Sequence, residues 1–163
     1  MIELQLRAEE AKLAYLAIAY HLGRPGSELD PITKQPLEHG LAEVARDLQP
    51  QMRMAVVRIA LDDTQLSKFL SGMLGSITEL KAYSMLEPHQ PGAGTSHRST
   101  VRGFDTSLRH LFPEVEEDPE SALDIAEQML MFKRRLDSRL AAMPKEEPPP
   151  PPPKRGWWPF GRR

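Results

Sequence analysis

The sequence predicts an all-α protein: an irregular bundle of five to six helices followed by a disordered, proline-rich C-terminal tail. Three observations support this fold class. Apolar residues recur every three or four positions in several segments, which is the periodicity of amphipathic helices. Prolines and glycines separate these segments. Finally, no two alternating segments are joined by a recognisable hairpin turn, so a β-sheet is not expected.

The first helix is predicted from Ile2 to Leu22. An alanine-rich run between Ala8 and Ala19 gives it high helix propensity. Gly23 and Pro25 then end it, because a glycine and a following proline are typical of helix C-termini. Residues 23–36 are expected to form a loop.

A second helix is predicted from about Leu37 to Leu48, with Pro50 breaking it. A third is predicted from Gln51 to Leu61. The alternative is a strand at Val56 to Ile59, since β-branched residues favour strands. Helix is preferred because no neighbouring segment offers a partner strand.

The fourth helix follows Asp62, whose short side chain can cap the free backbone N–H groups of a first turn. This helix has the clearest pattern in the chain, with apolar residues alternately four and three positions apart up to Leu80. Small residues also recur four positions apart. The predicted surface for helix packing or self-association consists of Leu66, Leu70, Gly72, Met73, Gly75 and Ile77. Close packing within the monomer is favoured over a homo-oligomer interface.

The C-terminal half of the domain is predicted to contain two further helices. Residues 87–100 form a loop, and a short helix spans Val101 to Phe112. The last helix starts at Asp118-Pro119 and ends at Pro144. Its predicted buried face consists of Ala122, Ala126, Met129, Leu136, Leu140 and Met143. Its basic second half is interpreted as a solvated face that suits the negative helix end; it consists of Lys133, Arg134, Arg135 and Arg139.

The polar residues give no support for catalysis. The chain has no cysteine, which excludes disulfides and thiolate chemistry. None of the five histidines follows an acidic residue at the three-residue spacing found in carboxylate metal sites of helix bundles. The glycine-containing loop from Gly92 to Thr100 lacks the lysine of a phosphate-binding loop. We therefore expect no metal, no cofactor and no enzymatic activity.

Charge and hydropathy bear on location and partners. Residues 144–163 carry a net charge of +3 and residues 1–143 a net charge of −5, so binding of the domain to nucleic acid is not expected. No segment approaches the roughly 18–20 uncharged apolar residues that cross a bilayer. The N-terminus lacks the features of a secretion signal. A cytoplasmic protein, able to lie peripherally at a membrane, is predicted.

The chain is divided into a helical domain, residues 1–143, and a tail, residues 144–163. Six prolines, Pro148 to Pro153, predict an extended polyproline II spacer. Beyond them lies the tip, residues 154–163. The predicted partner-binding residues of the tip are Lys154, Arg155, Trp157, Trp158, Phe160, Arg162 and Arg163.

Three occupations of the tip are considered, in order of preference. It docks into an apolar pocket of a partner protein, it lies at an anionic membrane surface, or it folds back on the acidic domain. The sequence therefore predicts a non-catalytic adaptor or assembly protein that recruits a partner protein through its tail. The alternative is a peripheral membrane-associated accessory protein of a secretion, envelope or phage-like assembly.

Overall fold

The computed structural model describes residues 1–24, 40–85 and 101–144. In these ranges the protein is mostly helical, as predicted, but it also contains a small sheet, so the all-α prediction is corrected. The elements in chain order are β1 (Ile2–Arg7), α1 (Ala8–Gly23), α2 (Leu41–Gln51), β2 (Val56–Leu61), α3 (Asp63–Tyr83), α4 (Phe104–Leu111), α5 (Glu114–Glu117) and α6 (Ser121–Ala142).

The first six residues after Met1 form a strand, so the predicted helix begins at Ala8 instead of Ile2. Leu4 and Leu6 are buried while the residues between and beside them are exposed. This alternation has the period of a strand that covers a core with one face. The alanine-rich run then continues as α1, as its propensity predicts.

The predicted helix from Gln51 to Leu61 is also wrong, since Val56–Leu61 is β2. The strand alternative was rejected for want of a nearby partner, but the partner is the N-terminus. The two strands pair antiparallel, with Leu4 opposite Ile59 and Leu6 opposite Val57. About fifty residues of chain separate these partners, so the pairing leaves no hairpin signal in the sequence.

Helix α2 runs through Pro50 to Gln51, which corrects the expectation that Pro50 breaks it. The proline lies in the last turn, where its missing N–H removes only one helical hydrogen bond. Gly40 precedes the helix with φ of 76°, a conformation that glycine adopts without strain. The predicted start at Leu37 lies outside the described residues.

The cap of α3 is confirmed and is reciprocal. The backbone N–H of Gln65 donates to Asp62 Oδ1 at 2.7 Å, and the backbone N–H of Asp62 donates to Gln65 Oε1 at 3.0 Å. This capping box satisfies backbone donors that have no partner within the helix. It fixes where β2 ends and α3 begins.

The C-terminal helices follow the predicted order. The short helix is found as α4, ending before Pro113, and a single turn, α5, follows it. Helix α6 begins just after Asp118-Pro119, where Asp118 Oδ1 accepts the backbone N–H of Glu120 at 3.2 Å. Of its predicted buried face, Ala122, Ala126, Met129 and Leu136 are buried and Leu140 is half-buried. Met143 is 44% exposed, so the prediction fails there.

The core lies between α1, α3, α6 and the inner face of the sheet. Ala14 and Ala17 of α1 are fully buried, and their small side chains let the neighbouring helices come close. Phe69 of α3 meets Phe132 of α6 edge to face, with ring centroids 6.5 Å apart. The described residues thus form one continuous core.

Candidate functional site

The predicted apolar seam of α3 is largely used inside the protein. Met73 is fully buried. Leu66, Leu70 and Ile77 are half-buried and pack against the core. Helix α3 packs against both α1 and α6, so these side chains already have apolar neighbours within the same chain.

Gly72 and Gly75 mark the place where α1 lies closest to α3. A Cβ atom at position 72 would lie under 3.0 Å from the backbone carbonyl oxygen of Ala17. A Cβ atom at position 75 would meet the ring of Tyr20. Both glycines therefore permit a close approach of helices within one molecule, the packing that the small-residue spacing suggests. Self-association through the same residues stays a prediction.

Side chains occupy the outward edges of the two-stranded sheet. The N–H groups of Arg7 and Arg58 point away from the opposite strand; Arg7 N–H donates to Glu10 Oε2 at 3.0 Å and Arg58 N–H to Gln51 Oε1 at 3.3 Å. On the outer edge of β1, Arg139 Nη1 donates to the carbonyl oxygen of Gln5 at 3.2 Å. These bonds cap edge groups that would otherwise be open to another strand.

A groove of about 320 Å³ lies between β1 and the C-terminal half of α6. We call it the arginine groove, because Arg7, Arg135 and Arg139 line it. Its remaining lining residues are Gln5, Leu6, Glu10, Val56, Phe132 and Leu136. Phe132 is buried, so the groove has an apolar floor beneath charged walls.

A second, larger groove of about 570 Å³ lies between α1 and the N-terminal half of α6. We call it the acidic groove. It is lined by Arg7, Glu9, Glu10, Leu13, Asp124, Glu127, Gln128, Met131 and Arg135. Four carboxylates against two guanidinium groups leave its lining with a net charge of −2.

The pair Glu10–Arg135 is common to both grooves. Arg135 Nη2 lies 3.0 Å from Glu10 Oε1, and Arg7 Nη2 lies 3.6 Å from the same oxygen. Both cations of the acidic groove are thus paired with one carboxylate. Glu9, Asp124 and Glu127 form no ion pair among residues 1–24, 40–85 and 101–144, so their negative charge faces solvent uncompensated.

The basic run of α6 is only partly the solvated face that was predicted. Lys133 pairs with Asp137 one turn later on the same helix, with Nζ 2.6 Å from Oδ2. Arg135 and Arg139 instead reach across to Glu10 and to the backbone of β1. Two of the four basic residues therefore join α6 to the N-terminal strand and helix.

The histidines lie apart. His21 is buried in α1 and His110 is exposed on α4, while His39, His89 and His97 lie outside the described residues. Within the described part of the chain, no three His, Asp or Glu side chains are grouped to hold a metal ion.

Arg109 and Tyr83 form a polar contact between α4 and α3. Arg109 Nε donates to the hydroxyl oxygen of Tyr83 at 3.3 Å. This hydrogen bond raises the pKa of Arg109, a group that is already charged at every physiological pH. The contact fixes the position of α4 and leaves no titrating group for chemistry.

The predicted partner-binding residues, Lys154, Arg155, Trp157, Trp158, Phe160, Arg162 and Arg163, all lie outside the described residues. So do the spacer Pro148–Pro153 and the loop Gly92–Thr100. The described domain ends at Pro144, immediately after α6.

No protein-family model, curated protein or solved structure matches the chain. Among the described helices, none has the length and apolar character needed to traverse a lipid bilayer.

Sequence reasoning missed both grooves. Glu10 and Arg135 are 125 residues apart in the chain, so no local pattern links them. The available signal was the basic run of α6 together with acidic residues at the start of α1. Each had a sufficient local explanation in the helix dipole, and that explanation hid their contact.

Proposed function

We propose that the protein is a non-catalytic adaptor whose helical domain carries a C-terminal docking tail that recruits a partner protein. The composition of the tip carries this proposal. It holds both tryptophans of the chain, a phenylalanine and four cations, all beyond six consecutive prolines. Tryptophan and arginine are the commonest anchors of protein interfaces, and a proline spacer presents them at a distance from the domain.

The domain supports the same proposal. Its described residues enclose an apolar core built without any tryptophan, so the aromatic residues of the tip are additional to that core. Three large aromatic side chains are costly to keep in water, which favours a surface that receives them. The two grooves are open and mostly charged, a chemistry suited to contact with other polypeptides.

The test is affinity capture with full-length protein as bait. We compare the wild type with Trp157→Ala/Trp158→Ala, and use Pro150→Ala/Pro151→Ala as a matched control in the spacer. Each anchor tryptophan contributes on the order of 2 kcal/mol or more, so the double tryptophan variant should lose its partner by over about 100-fold in affinity. The control should retain it. Capture of the same proteins by wild type and tryptophan variant would refute the proposal.

A membrane role is the second candidate, because aromatic residues bracketed by cations also suit an anionic bilayer surface. The tip is too short for firm anchoring by itself, so this role requires several copies acting together. Vesicles of phosphatidylserine and phosphatidylcholine distinguish the two. A blue shift of tryptophan emission with anionic vesicles only, with no protein captured, would favour the peripheral membrane protein.

A further inference from the structure

We propose that in the free protein the tip, residues 154–163, docks intramolecularly in the acidic groove between α1 and α6. The inference concerns the tip that the proposed function uses, but it does not depend on which partner the tip recruits. It assigns the groove an occupant and gives the tail a closed state.

The charges of the two surfaces are complementary. The tip carries Lys154, Arg155, Arg162 and Arg163 and no acidic residue. Glu9, Asp124 and Glu127 in the groove lack ion pairs within the described residues. The arginine groove is excluded as a receptor for the tip, because its lining carries three arginines and one glutamate. Of the two grooves, only the acidic one attracts the tip.

The groove also offers apolar contact. Met131 lines it and is 46% exposed, and Leu13 forms part of its floor. Thioether sulfur against an aromatic ring is a favourable contact, and methionine adapts its shape to irregular partners. The volume of about 570 Å³ lies within the range of about 300–1,000 Å³ typical of ligand sites. It is large enough to receive aromatic side chains of the tip.

The spacer has the length to bring the tip there. At about 1.5 Å per residue, Met131 lies roughly 17 Å back from Ala142 along the axis of α6. Six prolines in the polyproline II form span about 19 Å. Residues 143–147 precede them and supply the reversal of direction. A spacer running back beside α6 therefore delivers Lys154 level with Met131.

Docking has a consequence for recruitment. Trp157 and Trp158 cannot contact the groove and a partner pocket with the same faces, so a partner must displace the tip. The apparent affinity for the partner is then lowered by the fraction of molecules in which the tip is docked. Variants that open the groove should capture more partner than the wild type.

The experiment uses tryptophan emission and acrylamide quenching of the full chain. Because both tryptophans lie in the tip, all indole fluorescence reports on it. The wild type should emit to the blue of the urea-unfolded chain and be quenched less readily. Asp124→Lys/Glu127→Lys should shift emission to the red and increase quenching. The matched control, Glu43→Lys/Asp47→Lys, makes the same charge change on exposed positions of α2 and should behave as wild type.

Folding of each variant is verified by far-UV circular dichroism. If the lysine variant unfolds, Asp124→Asn/Glu127→Gln removes the charges without reversing them and should show a smaller shift in the same direction. Emission of the folded wild type that matches the unfolded chain would overturn the inference. So would a groove variant indistinguishable from the control.

A concentration series identifies whose tip is bound. Intramolecular docking gives an emission maximum independent of protein concentration. A maximum that shifts with concentration, together with a rise in mass by light scattering, would mean that the tip of a second copy enters the groove and would overturn the intramolecular form. The adaptor proposal is read separately, by partner capture: a tip that is free yet captures a partner sinks only the docking, whereas a released tip that captures none sinks only the adaptor.

Discussion

Gly72→Ala probes the packing on which the whole domain rests. Position 72 is buried in α3, and an added Cβ atom would lie under 3.0 Å from the backbone carbonyl oxygen of Ala17 in α1. A backbone atom inside a helix cannot rotate away as a side chain can. The two helices must therefore move apart or shift along each other.

Two opposing terms set the magnitude. Overpacking a core costs typically 1–3 kcal/mol, and contact with backbone places this site near the upper end, at about 3 kcal/mol. Replacing a helical glycine by alanine stabilises the helix by about 1 kcal/mol. The steric term wins, so the free energy of unfolding should fall by about 2 kcal/mol. For a chain of this size the melting temperature should fall by roughly 4–8 °C.

Urea unfolding followed by circular dichroism measures this change, since the tryptophans lie in the tail and do not report on the core. Gly75→Ala is the comparison variant, because its Cβ atom meets the ring of Tyr20, a half-buried side chain that can move. It should lose less stability than Gly72→Ala. If Gly72→Ala proved as stable as the wild type or more stable, the close approach of α1 and α3 would be refuted.

Two further predictions concern the helix cap and the sheet. Asp62→Ala removes the acceptor for the backbone N–H of Gln65 and should cost about 1 kcal/mol of unfolding free energy, whereas Asp62→Asn, which keeps a capping oxygen, should cost much less; equal losses in urea titrations would speak against the cap. Leu6→Ala leaves a cavity at a side chain that is 1% exposed and should cost about 2–5 kcal/mol. Gln5→Ala, on the exposed face of the same strand, should change stability by less than about 0.5 kcal/mol. Similar losses for Leu6→Ala and Gln5→Ala would contradict the register of β1.

The helices were predicted where their evidence was local. The alternating seam and the capping residue Asp62 placed α3 correctly, and Asp118-Pro119 placed the start of α6. A helix makes its hydrogen bonds within four residues, so its pattern and its caps lie in one stretch of chain. The solvent exposure of Met143 was missed because periodicity continues past the point where the neighbouring elements end.

The sheet illustrates the opposite case. Val56 to Ile59 carried the β-branched residues of a strand, and Ile2 to Leu6 alternated, yet each was read as helix because neither had a visible partner. A strand is stabilised by pairing with another strand, which need not be near in sequence. Only the fold brings Leu4 opposite Ile59.

The sequence by itself determined a mostly helical domain, its principal helix boundaries and a tail rich in proline, tryptophan and arginine. Tertiary structure decided the strand pairing, the close contact at Gly72 and the division of charge into an arginine groove and an acidic groove around Glu10 and Arg135. Helix propensity and capping act between neighbouring residues. Pairing of strands, packing of glycines and matching of charges act between residues that only folding brings together.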